Sequence, residues 1–256
     1  MAKFTFLGTG TSQGVPVISC PCEICQSQDP YDNRLRTSGM LEAEGKTIVF
    51  DTGPDFRFQM LREKVKDLDA VVFTHPHKDH TAGLDDVRPF NFLLNKSIHV
   101  YANALTIKSL RGEYPYIFAA EKYPGAPEIE IHEISGETDF EAQGILLTPI
   151  PVLHSKMTVL GFRYRNFAYI TDASYISPPS LDKLKGLDTL VLNALRITPH
   201  HSHFSLAEAL EMVKMIEPKQ AYFTHISHLL GKHADISAIL PENVALAYDG
   251  LEVSVF

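Results

Sequence analysis

The segment that most constrains this chain is a run of six residues, His75-Pro76-His77-Lys78-Asp79-His80. It follows an apolar stretch, residues 70–74, whose composition predicts a buried strand. Three imidazoles and a carboxylate cannot share one face of a strand or helix, but a tight loop can turn all four towards one point. Neutral imidazoles and ionised carboxylates bind divalent zinc, manganese and iron. The segment therefore predicts a metal site at a strand end.

Length and composition limit the class of protein. The chain has 256 residues, 45% hydrophobic and 21% charged, which suits a globular protein, and we expect a single domain over residues 1–256. Its net charge of −8 disfavours stable nucleic-acid binding, which usually needs a basic face, although bound metal ions attract phosphate locally. Because we find neither a signal peptide nor an apolar run of roughly 20 residues, we expect a cytoplasmic protein without membrane association.

Hydrophobic periodicity predicts many strands and few helices. Strands are predicted over residues 4–7, 38–43, 47–50, 70–73, 98–101, 129–134, 145–152, 159–164, 167–171, 189–192, 221–224, 244–248 and 251–255. Helices are predicted over residues 55–65, 104–114 and 204–216. Residues 114–127 contain three prolines and indicate a surface loop, a lid or a boundary between half-domains. This mixture predicts stacked sheets covered by helices, in α/β or α+β style.

Three further predicted strands lead directly to a residue that can bind metal. Strand 145–152 leads to His154, strand 167–171 to Asp172 and strand 221–224 to His225. Sheet proteins commonly build their sites at strand ends. We therefore expect these three side chains to emerge at a sheet edge, as the His75–His80 segment does.

The order of these motifs resembles the metallo-β-lactamase superfamily over essentially the whole chain. The resemblance implies a four-layer αββα sandwich of two mixed β-sheets. It also implies two divalent ions, zinc or manganese and possibly iron, which activate a hydroxide and neutralise a phosphoryl oxygen. By that likeness the first ion is held by His75, His77 and His154, the second by Asp79, His80 and His225, and both by a bridging Asp172.

The three cysteines form a second candidate metal site. Cys20, Cys22 and Cys25 lie within six residues, and a closed tetrahedral zinc site needs a fourth ligand, which His228 can supply. This pattern resembles the PhnP-type cyclic-phosphate phosphodiesterases, and the Leu-Gly-Thr-Gly start at residues 7–10 resembles the start shared by PhnP-like proteins and tRNA 3′-processing endonucleases. The resemblance implies a structural zinc on these four residues that ties the N-terminal loop to the C-terminal half. The alternative is reduced thiols packed as small apolar groups.

The segment before the helix predicted at residues 204–216 carries candidate substrate groups. His203-Phe204-Ser205 matches an H-x-S pattern of the phosphodiesterase branch. The resemblance implies that His203 is catalytic, together with Asp79, and that it contacts phosphate and protonates the leaving oxygen. Ser205 is a candidate substrate contact, and it is equally suited to cap the helix.

Other polar residues have roles that the sequence leaves open. Arg88 can clamp a phosphate with its planar guanidinium, or it can pair with Asp85 or Asp86. Asp51, at the end of the strand predicted at 47–50, is expected to orient a ligand histidine. The sequence assigns no role to the remaining candidates His200, His201 and His233.

These patterns favour a metal-dependent phosphodiesterase that cleaves a cyclic phosphate or a small nucleotide-like phosphodiester. A homodimer is implied by resemblance alone. The first alternative is an endoribonuclease that matures tRNA 3′ ends, although we find no basic, Gly/Pro-rich insertion that would grip tRNA. A lactamase or thioester hydrolase is disfavoured by the cysteine pattern and the H-x-S segment. A non-catalytic binding protein that retains the fold is the alternative from another class.

Overall fold

The computed structural model describes residues 2–256. Its strands are β1 (Ala2–Gly8), β2 (Ser38–Ala43), β3 (Lys46–Phe50), β4 (Ala70–Val72), β5 (Ile98–Ala102), β6 (Ile129–Glu133), β7 (Phe140–Ala142), β8 (Ile145–His154), β9 (Met157–Tyr164), β10 (Phe167–Tyr169), β11 (Tyr175–Ile176), β12 (Thr189–Asn193), β13 (Gln220–Thr224), β14 (Val244–Leu246) and β15 (Glu252–Val255). Its helices are α1 (Phe56–Arg62), α2 (Lys78–Thr81), α3 (Arg88–Leu94), α4 (Ala104–Glu113), α5 (Pro178–Asp182), α6 (Leu206–Ile216) and α7 (His233–Ser237). Two 3-10 turns cover Pro30–Asp32 and Leu84–Val87.

The strands form two mixed sheets. The first has the order β15-β1-β2-β3-β4-β5-β6, and the second has the order β11-β8-β9-β10-β12-β13-β14, with β7 paired to β8. Strands β3 to β6 run parallel to one another, as do β10, β12, β13 and β14. Parallel strands bring their carboxyl ends to one edge of a sheet, where ligands commonly bind.

Three apolar layers hold these sheets and helices together. The layer between the sheets is aromatic, and the Phe4 ring lies 4.7 Å from Phe167 and 5.4 Å from Tyr169. A second layer packs helices α1, α3 and α4 on the first sheet, and a third packs α5, α6 and α7 on the second. The layers therefore run helix, sheet, sheet, helix, which confirms the predicted αββα sandwich.

Most predicted strands are present, and the differences are short or local. Strands β7 and β11 and helices α2, α3, α5 and α7 were not predicted because each has only two to seven residues, too few for a clear period. Strand β9 begins two residues earlier than expected because it continues a long hairpin with β8, in which His154 pairs with Met157. Among residues 2–256, none of the helices is long and apolar enough to cross a membrane.

The proline-containing segment 114–127 forms turns that pack on the first half of the molecule. The Tyr114 hydroxyl donates to the Thr81 carbonyl over 2.9 Å, and the Tyr116 hydroxyl donates to Asp85 over 2.5 Å. The segment joins α4 to β6 within the first sheet. It is therefore not a boundary between the two halves, and the chain passes to the second sheet only after β6.

Candidate metal centre

The backbone at the sheet edge adopts a conformation that most residues avoid. Asp51 follows β3 with φ 65°, Asp172 follows β10 after two residues with φ 59°, and His225 follows β13 with φ 55°. Residues other than glycine seldom adopt positive φ, and such strained positions cluster at functional sites. Each of these left-handed turns directs a metal-binding type of side chain from a strand end towards the space between the sheets' edges.

The first group of candidate ligands comprises His75, His77 and His154, and one ring nitrogen from each lies within 4.8 Å of the other two. His75 Nε2 is 3.1 Å from His77 Nδ1. His154 Nδ1 donates a hydrogen bond to the Ser202 carbonyl over 2.8 Å. This bond fixes the proton on Nδ1 and leaves the lone pair of His154 Nε2 for a metal ion.

The second group comprises Asp79, His80 and His225, whose donor atoms also lie within 4.8 Å of one another. Asp172 lies beside this group and near the first one. Its Oδ2 is 3.3 Å from His80 Nε2 and 3.2 Å from His225 Nδ1, and with His75 and His80 it forms a further compact group. The structure therefore brings together all seven residues that the sequence indicated, with Asp172 between the two groups.

One buried nitrogen tests whether this arrangement fits a metal ion. Asp51 accepts hydrogen bonds from the backbone N–H and the hydroxyl of Thr74, both over 2.8 Å, and from His80 Nδ1 over 2.7 Å. The proton of His80 is therefore on Nδ1. Within residues 2–256, His80 Nε2 is buried and has no hydrogen-bond partner. A buried polar atom normally has a partner, and a metal ion at this point would be one.

Burial keeps most imidazoles of the centre neutral, which is the form that binds metal. Burial lowers the pKa of His225 to about 4 and lowers the pKa of His154. Burial, with a smaller contribution from the charge of His80, lowers the pKa of His75 well below its ordinary value. A proton at these positions is therefore disfavoured at neutral pH.

The acidic residues give the centre its attraction for positive charge. Burial opposes ionisation of Asp172, but the neighbouring His225 and His80 outweigh it and hold its pKa well below the ordinary value. Burial likewise opposes protonation of His80, but the carboxylates of Asp79, Asp172 and Asp51 outweigh it and raise the pKa of His80 well above the ordinary value. The buried carboxylates favour a cation, and imidazole with carboxylate is a donor set for divalent metal ions.

His203 lies beside the centre and completes its polar surface. Its Nε2 donates to Asp172 Oδ1 over 2.9 Å, and its Nδ1 accepts from the Ser202 hydroxyl over 2.9 Å. The ring packs against His225, with centroids 4.9 Å apart, and against His154, with centroids 4.6 Å apart. The side chain is 11% exposed, so one edge of His203 reaches solvent while its Nε2 proton points into the centre.

The three cysteines and His228 form a compact cluster away from this centre. His228 Nδ1 lies 3.4 Å from Cys20 Sγ, 3.3 Å from Cys22 Sγ and 3.5 Å from Cys25 Sγ. A tetrahedral zinc ion with ordinary Zn–S and Zn–N bonds would separate these atoms by about 3.5 Å. The four side chains therefore have the spacing of a structural zinc site.

Backbone groups also support the cysteine cluster. The Cys25 N–H donates to Cys22 Sγ over 3.4 Å, and the Val17 N–H donates to Cys25 Sγ over 3.3 Å. The bond from Cys25 N–H, followed by the contact with His228, lowers the pKa of the Cys22 thiol to about 6, whereas burial raises the pKa of the Cys25 thiol to about 11. Full ionisation of the cluster therefore needs a cation, because metal binding deprotonates thiols.

The comparison with protein families shows which superfamily the chain belongs to. A model described as the beta-lactamase superfamily domain matches residues 46–226. The chain belongs to the metallo-β-lactamase superfamily. The match runs from the first residue of β3 to the residue after His225, so it contains every residue of the candidate metal centre.

Three relatives place the chain within the superfamily. A solved structure of a diphosphatase from the PhnP family is 41% identical, with a TM-score of 0.93 over 100% of this chain and 98% of that one. An octanoyltransferase from Porphyromonas gingivalis (strain ATCC BAA-308 / W83) is 34% identical over 251 residues, 97% of this chain but only 51% of that protein, so the chain spans about half its length. A ribonuclease Z from Mycobacterium marinum (strain ATCC BAA-535 / M) is 26% identical over 215 residues, 77% of this chain and 71% of that protein. The chain is a PhnP-like member of the superfamily.

Two of the predicted substrate contacts have structural roles in this PhnP-like chain. Arg88 Nη2 lies 2.8 Å from Asp85 Oδ2, which is the ion pair that the sequence left as the alternative to a phosphate clamp. Ser205 is 1% exposed and caps α6, with its hydroxyl accepting from the Glu208 N–H and the Glu208 side chain bonding back to the Ser205 N–H. The structure therefore favours capping over substrate contact for Ser205.

The sequence missed several residues that position the centre. The Thr11 hydroxyl lies 3.2 Å from His225 Nε2, and Ser202 holds both His154 and His203. His200 Nδ1 contacts the Ser202 hydroxyl over 3.1 Å, whereas His201 is exposed. The density of histidines before α6 was a signal for this network, but nothing in the sequence pairs Thr11 with the distant His225.

His233, which the sequence left unassigned, lies outside the centre. Its Nδ1 accepts a hydrogen bond from Arg34 Nη2 over 3.1 Å, and its ring packs on Tyr31 with centroids 5.0 Å apart. Arg34 is 5% exposed and also donates to the Thr9 hydroxyl and the Ala247 carbonyl. His233 therefore helps to hold the N-terminal loop against the C-terminal part of the chain.

Proposed function

We propose that this superfamily hydrolase cleaves a phosphorus–oxygen bond in a small phosphodiester, such as a cyclic ribose phosphate or a nucleotide-like ester. The observation that carries the proposal is His203, whose Nε2 proton points at Asp172 over 2.9 Å within the candidate metal centre. Cleavage of an ester needs a proton for the departing oxygen, and an imidazole beside the metal ligands is in position to give it. The 41% identity to a PhnP-family diphosphatase supports chemistry at phosphorus.

We propose that the seven-residue centre holds two divalent ions, which are zinc, manganese or iron. When bound, such ions act as Lewis acids on phosphoryl oxygens and lower the pKa of water. The residues of the chain themselves determine how the candidate ligands are oriented. Asp51 holds the proton of His80 on Nδ1, and the Ser202 carbonyl holds the proton of His154 on Nδ1. The Nε2 atoms of both histidines thereby face the centre before any substrate arrives.

His203 has a different task from the candidate ligands. Because its Nδ1 accepts from the Ser202 hydroxyl and its Nε2 donates to Asp172, its transferable proton is on the nitrogen that faces the centre. We propose that a substrate phosphate displaces the contact with Asp172, that water attacks phosphorus as the bond to the leaving oxygen breaks, and that His203 gives its Nε2 proton to that oxygen. The proton that the water loses restores His203. Ser202 is a positioning residue in this scheme, because it contacts the far side of the ring and not the substrate.

The size and charge of the substrate follow from the surroundings of the centre. The chain carries a net charge of −8, which opposes stable binding of a long polyanion. A small phosphodiester needs only the local positive charge that metal ions supply. We therefore propose a small-molecule substrate and no stable nucleic-acid partner. The homodimer implied by the sequence resemblance stays a prediction.

A second candidate, hydrolysis of a diphosphate bond, is favoured by the diphosphatase relative. The two reactions differ in the leaving group, which is an alkoxide or aryloxide for a phosphodiester and a phosphate for a diphosphate. Phosphate is a weaker base than an alkoxide, so its departure depends less on protonation by His203. The loss of rate in a His203 variant, compared between substrates with different leaving groups, therefore distinguishes the two candidates. Product analysis distinguishes them independently.

The test is a substrate panel on purified protein loaded separately with Zn²⁺, Mn²⁺ and Fe²⁺. The panel contains bis(p-nitrophenyl) phosphate, a 2′,3′-cyclic nucleotide and a nucleoside diphosphate sugar, with products followed by ³¹P NMR. We expect cleavage of the first two. Cleavage of the nucleoside diphosphate sugar alone would replace the first candidate by the second, and no cleavage with any metal would contradict both.

The other relatives suggest reactions that the same panel can include. The ribonuclease Z relative supports a test with precursor tRNA, where trimming at the 3′ end would indicate the endonuclease that the sequence left as its alternative. The name octanoyltransferase belongs to a protein about twice as long as this chain. That length leaves room for a separate part that carries the named activity, so we do not propose octanoyl transfer.

A further inference from the structure

A cluster of two histidines and a glutamate lies on the first sheet, apart from both candidate metal sites. His99 is on β5, and Glu130 and His132 are on the neighbouring strand β6. The register pairs His99 with Glu130 and Tyr101 with His132. Side chains alternate between the faces of a strand, so the side chains of these two residue pairs all point to the same face of the sheet. This cluster shares no residue with the seven-residue centre or with the cysteine cluster.

The donor atoms of the cluster have the spacing of ligands around one ion. His99 Nδ1 lies 2.8 Å from His132 Nε2 and 3.8 Å from Glu130 Oε2, and His132 Nε2 lies 3.5 Å from Glu130 Oε1. Nitrogen and oxygen ligands bound tetrahedrally to zinc at ordinary lengths are about 3.4 Å apart. The three observed separations lie on both sides of this value, so small side-chain rotations are enough to admit an ion.

The scaffold holds the two imidazoles in a fixed orientation. The His132 ring lies between Tyr101, with centroids 4.6 Å apart and planes at 17°, and His99, with centroids 5.1 Å apart and planes at 22°. Tyr101 is 5% exposed and packs into the layer between the sheets. The histidines are only 24% and 32% exposed. Ligands on strands and locked by packing make a preorganised site.

The contact between the imidazoles does not involve the carboxylate. A hydrogen bond between His99 Nδ1 and His132 Nε2 uses one proton and one lone pair, and it leaves Glu130 at 3.5 and 3.8 Å, too far for an ordinary hydrogen bond. A cation between the three groups would use both nitrogen lone pairs and the negative charge together. Two imidazoles and one carboxylate are a donor set for zinc and other borderline divalent ions.

We propose that His99, Glu130 and His132 form an additional surface metal site that binds Zn²⁺ or another borderline divalent cation, with water completing the coordination. Strand β6 is the edge of the first sheet, and β5 is its neighbour. An ion at this point cross-links the edge strand to the rest of the sheet. Metal that binds only the folded state stabilises it, so this site also increases the stability of the folded chain.

The test measures zinc per chain by equilibrium dialysis at micromolar free Zn²⁺, followed by elemental analysis. We compare the full wild-type chain with the double variant His99→Gln/His132→Gln and with Glu133→Gln. Glu133 is an exposed glutamate on β6 that points to the other face, so its variant is a matched control. We expect the double variant to bind one zinc ion fewer than the wild type, and the control to bind the same number as the wild type.

A second measurement avoids any dependence on the folding of the double variant. Crystals of the wild-type chain grown with micromolar Zn²⁺ should show an anomalous peak at the zinc edge among the three side chains. The variant Glu130→Gln, at a 58% exposed position, should bind this zinc at least tenfold more weakly. Equal zinc content in the wild type and the double variant, or a peak only at millimolar zinc, would show that the histidines merely contact each other.

Discussion

At the scale of single residues, the candidate centre depends on how each imidazole distributes its proton. His80 and His154 each donate from Nδ1, to Asp51 and to the Ser202 carbonyl, whereas His203 donates from Nε2 towards the centre. The same side-chain type therefore serves as a candidate ligand in two cases and as a proton carrier in the third. The contact on the far side of each ring decides which of these roles it can take.

His203→Gln should separate proton transfer from metal binding. Loss of a general acid typically costs about 10²–10⁴-fold in rate. We expect kcat to fall by this amount for a 2′,3′-cyclic nucleotide, whose leaving alkoxide needs a proton. For bis(p-nitrophenyl) phosphate, whose leaving group is stable as an anion, the fall should be much smaller.

The measurement for this variant combines kcat for both esters with the metal content of the protein. His201→Gln is the matched control, because it makes the same change at an exposed histidine two residues before His203. An equal loss for both esters, or a loss of metal in proportion to the loss of rate, would contradict the role of His203 as an acid.

At the scale of elements, helix α6 shows how local chemistry positions a distant group. Ser205 and Glu208 form a complete capping box, which fixes where the helix begins. His203 and Ser202 lie immediately before this cap, and their orientation depends on the direction in which the chain enters the helix. The capping box therefore connects helix stability with the geometry of the candidate centre.

Ser205→Ala should lower stability with little effect on substrate affinity. Removal of an N-cap hydroxyl costs about 0.5–2 kcal/mol in the free energy of unfolding, which denaturant titration detects. Because Ser205 is 1% exposed, we expect KM for a cleaved phosphodiester to stay within about twofold of the wild type. Ser205→Thr is the control, because its hydroxyl can still accept from the Glu208 N–H and donate to the Glu208 carboxylate, and it should recover part of the stability. A large rise in KM with unchanged stability would restore the substrate contact.

The strands and the His75–His80 motif were predictable from the sequence because their signals are local, whereas His154, Asp172 and His225 were assigned as ligands through the family resemblance. A strand such as β15 alternates exposed and buried residues, and the histidine motif places several ligand types within six residues. Contacts between distant residues had no such signal. Gly53 illustrates this, because a Cβ there would lie 2.1 Å from the Asp79 carbonyl oxygen. The need for glycine comes from the packing of two loops, which periodicity does not describe.

At the scale of the whole molecule, the N-terminal loop is tied to the C-terminal part of the chain by several contacts. The Thr11 N–H donates to the Ile226 carbonyl over 3.0 Å, and Lys232 pairs with Glu23 over 2.9 Å. The buried Arg34 joins the same two regions through His233. The cysteine cluster joins the same two regions through His228, so the loop is held both by these contacts and by a candidate zinc site.

The contact between Arg34 and His233 makes part of this stability depend on pH. Burial, followed by the charge of Arg34, lowers the pKa of His233, although Asp29 and Asp32 act in the opposite direction. The folded chain therefore favours neutral His233 more than the unfolded chain does. The unfolded chain binds the proton first as pH falls below about 6.5, so this stability is complete above that pH and is lost as pH falls towards the folded pKa.

His233→Gln removes the titration but retains an acceptor for Arg34. We expect the free energy of unfolding of this variant to fall less steeply with decreasing pH, between about pH 7 and pH 5, than that of the wild type. Chemical denaturation at a series of pH values measures the slopes. His201→Gln, at an exposed position, is the control and should have the wild-type slope. Identical slopes for all three proteins would show that His233 is equally easy to protonate in both states.

The seven-residue centre and the cysteine cluster should be separable, because they lie in different parts of the molecule and share no ligand. Asp79→Asn removes a carboxylate from the seven-residue centre, so this variant should lose one metal ion and most of its hydrolytic activity. Its cysteine cluster should still retain zinc. Cys22→Ser should have the complementary effect, with loss of the cysteine-bound zinc and a large decrease in thermal stability.

The size of that decrease follows from mass action. A ligand present at a hundredfold excess over its Kd stabilises the folded state by about 2.7 kcal/mol. For a chain of this size, each kcal/mol changes the Tm by roughly 2–4 °C. Loss of the zinc should therefore lower the Tm of Cys22→Ser by roughly 5–11 °C. Elemental analysis measures the metal content of both variants, and calorimetry measures their Tm. Loss of the cysteine-bound zinc from Asp79→Asn would show that the two sites are not independent, and a wild-type Tm for Cys22→Ser would show that the cysteine cluster holds no stabilising zinc ion.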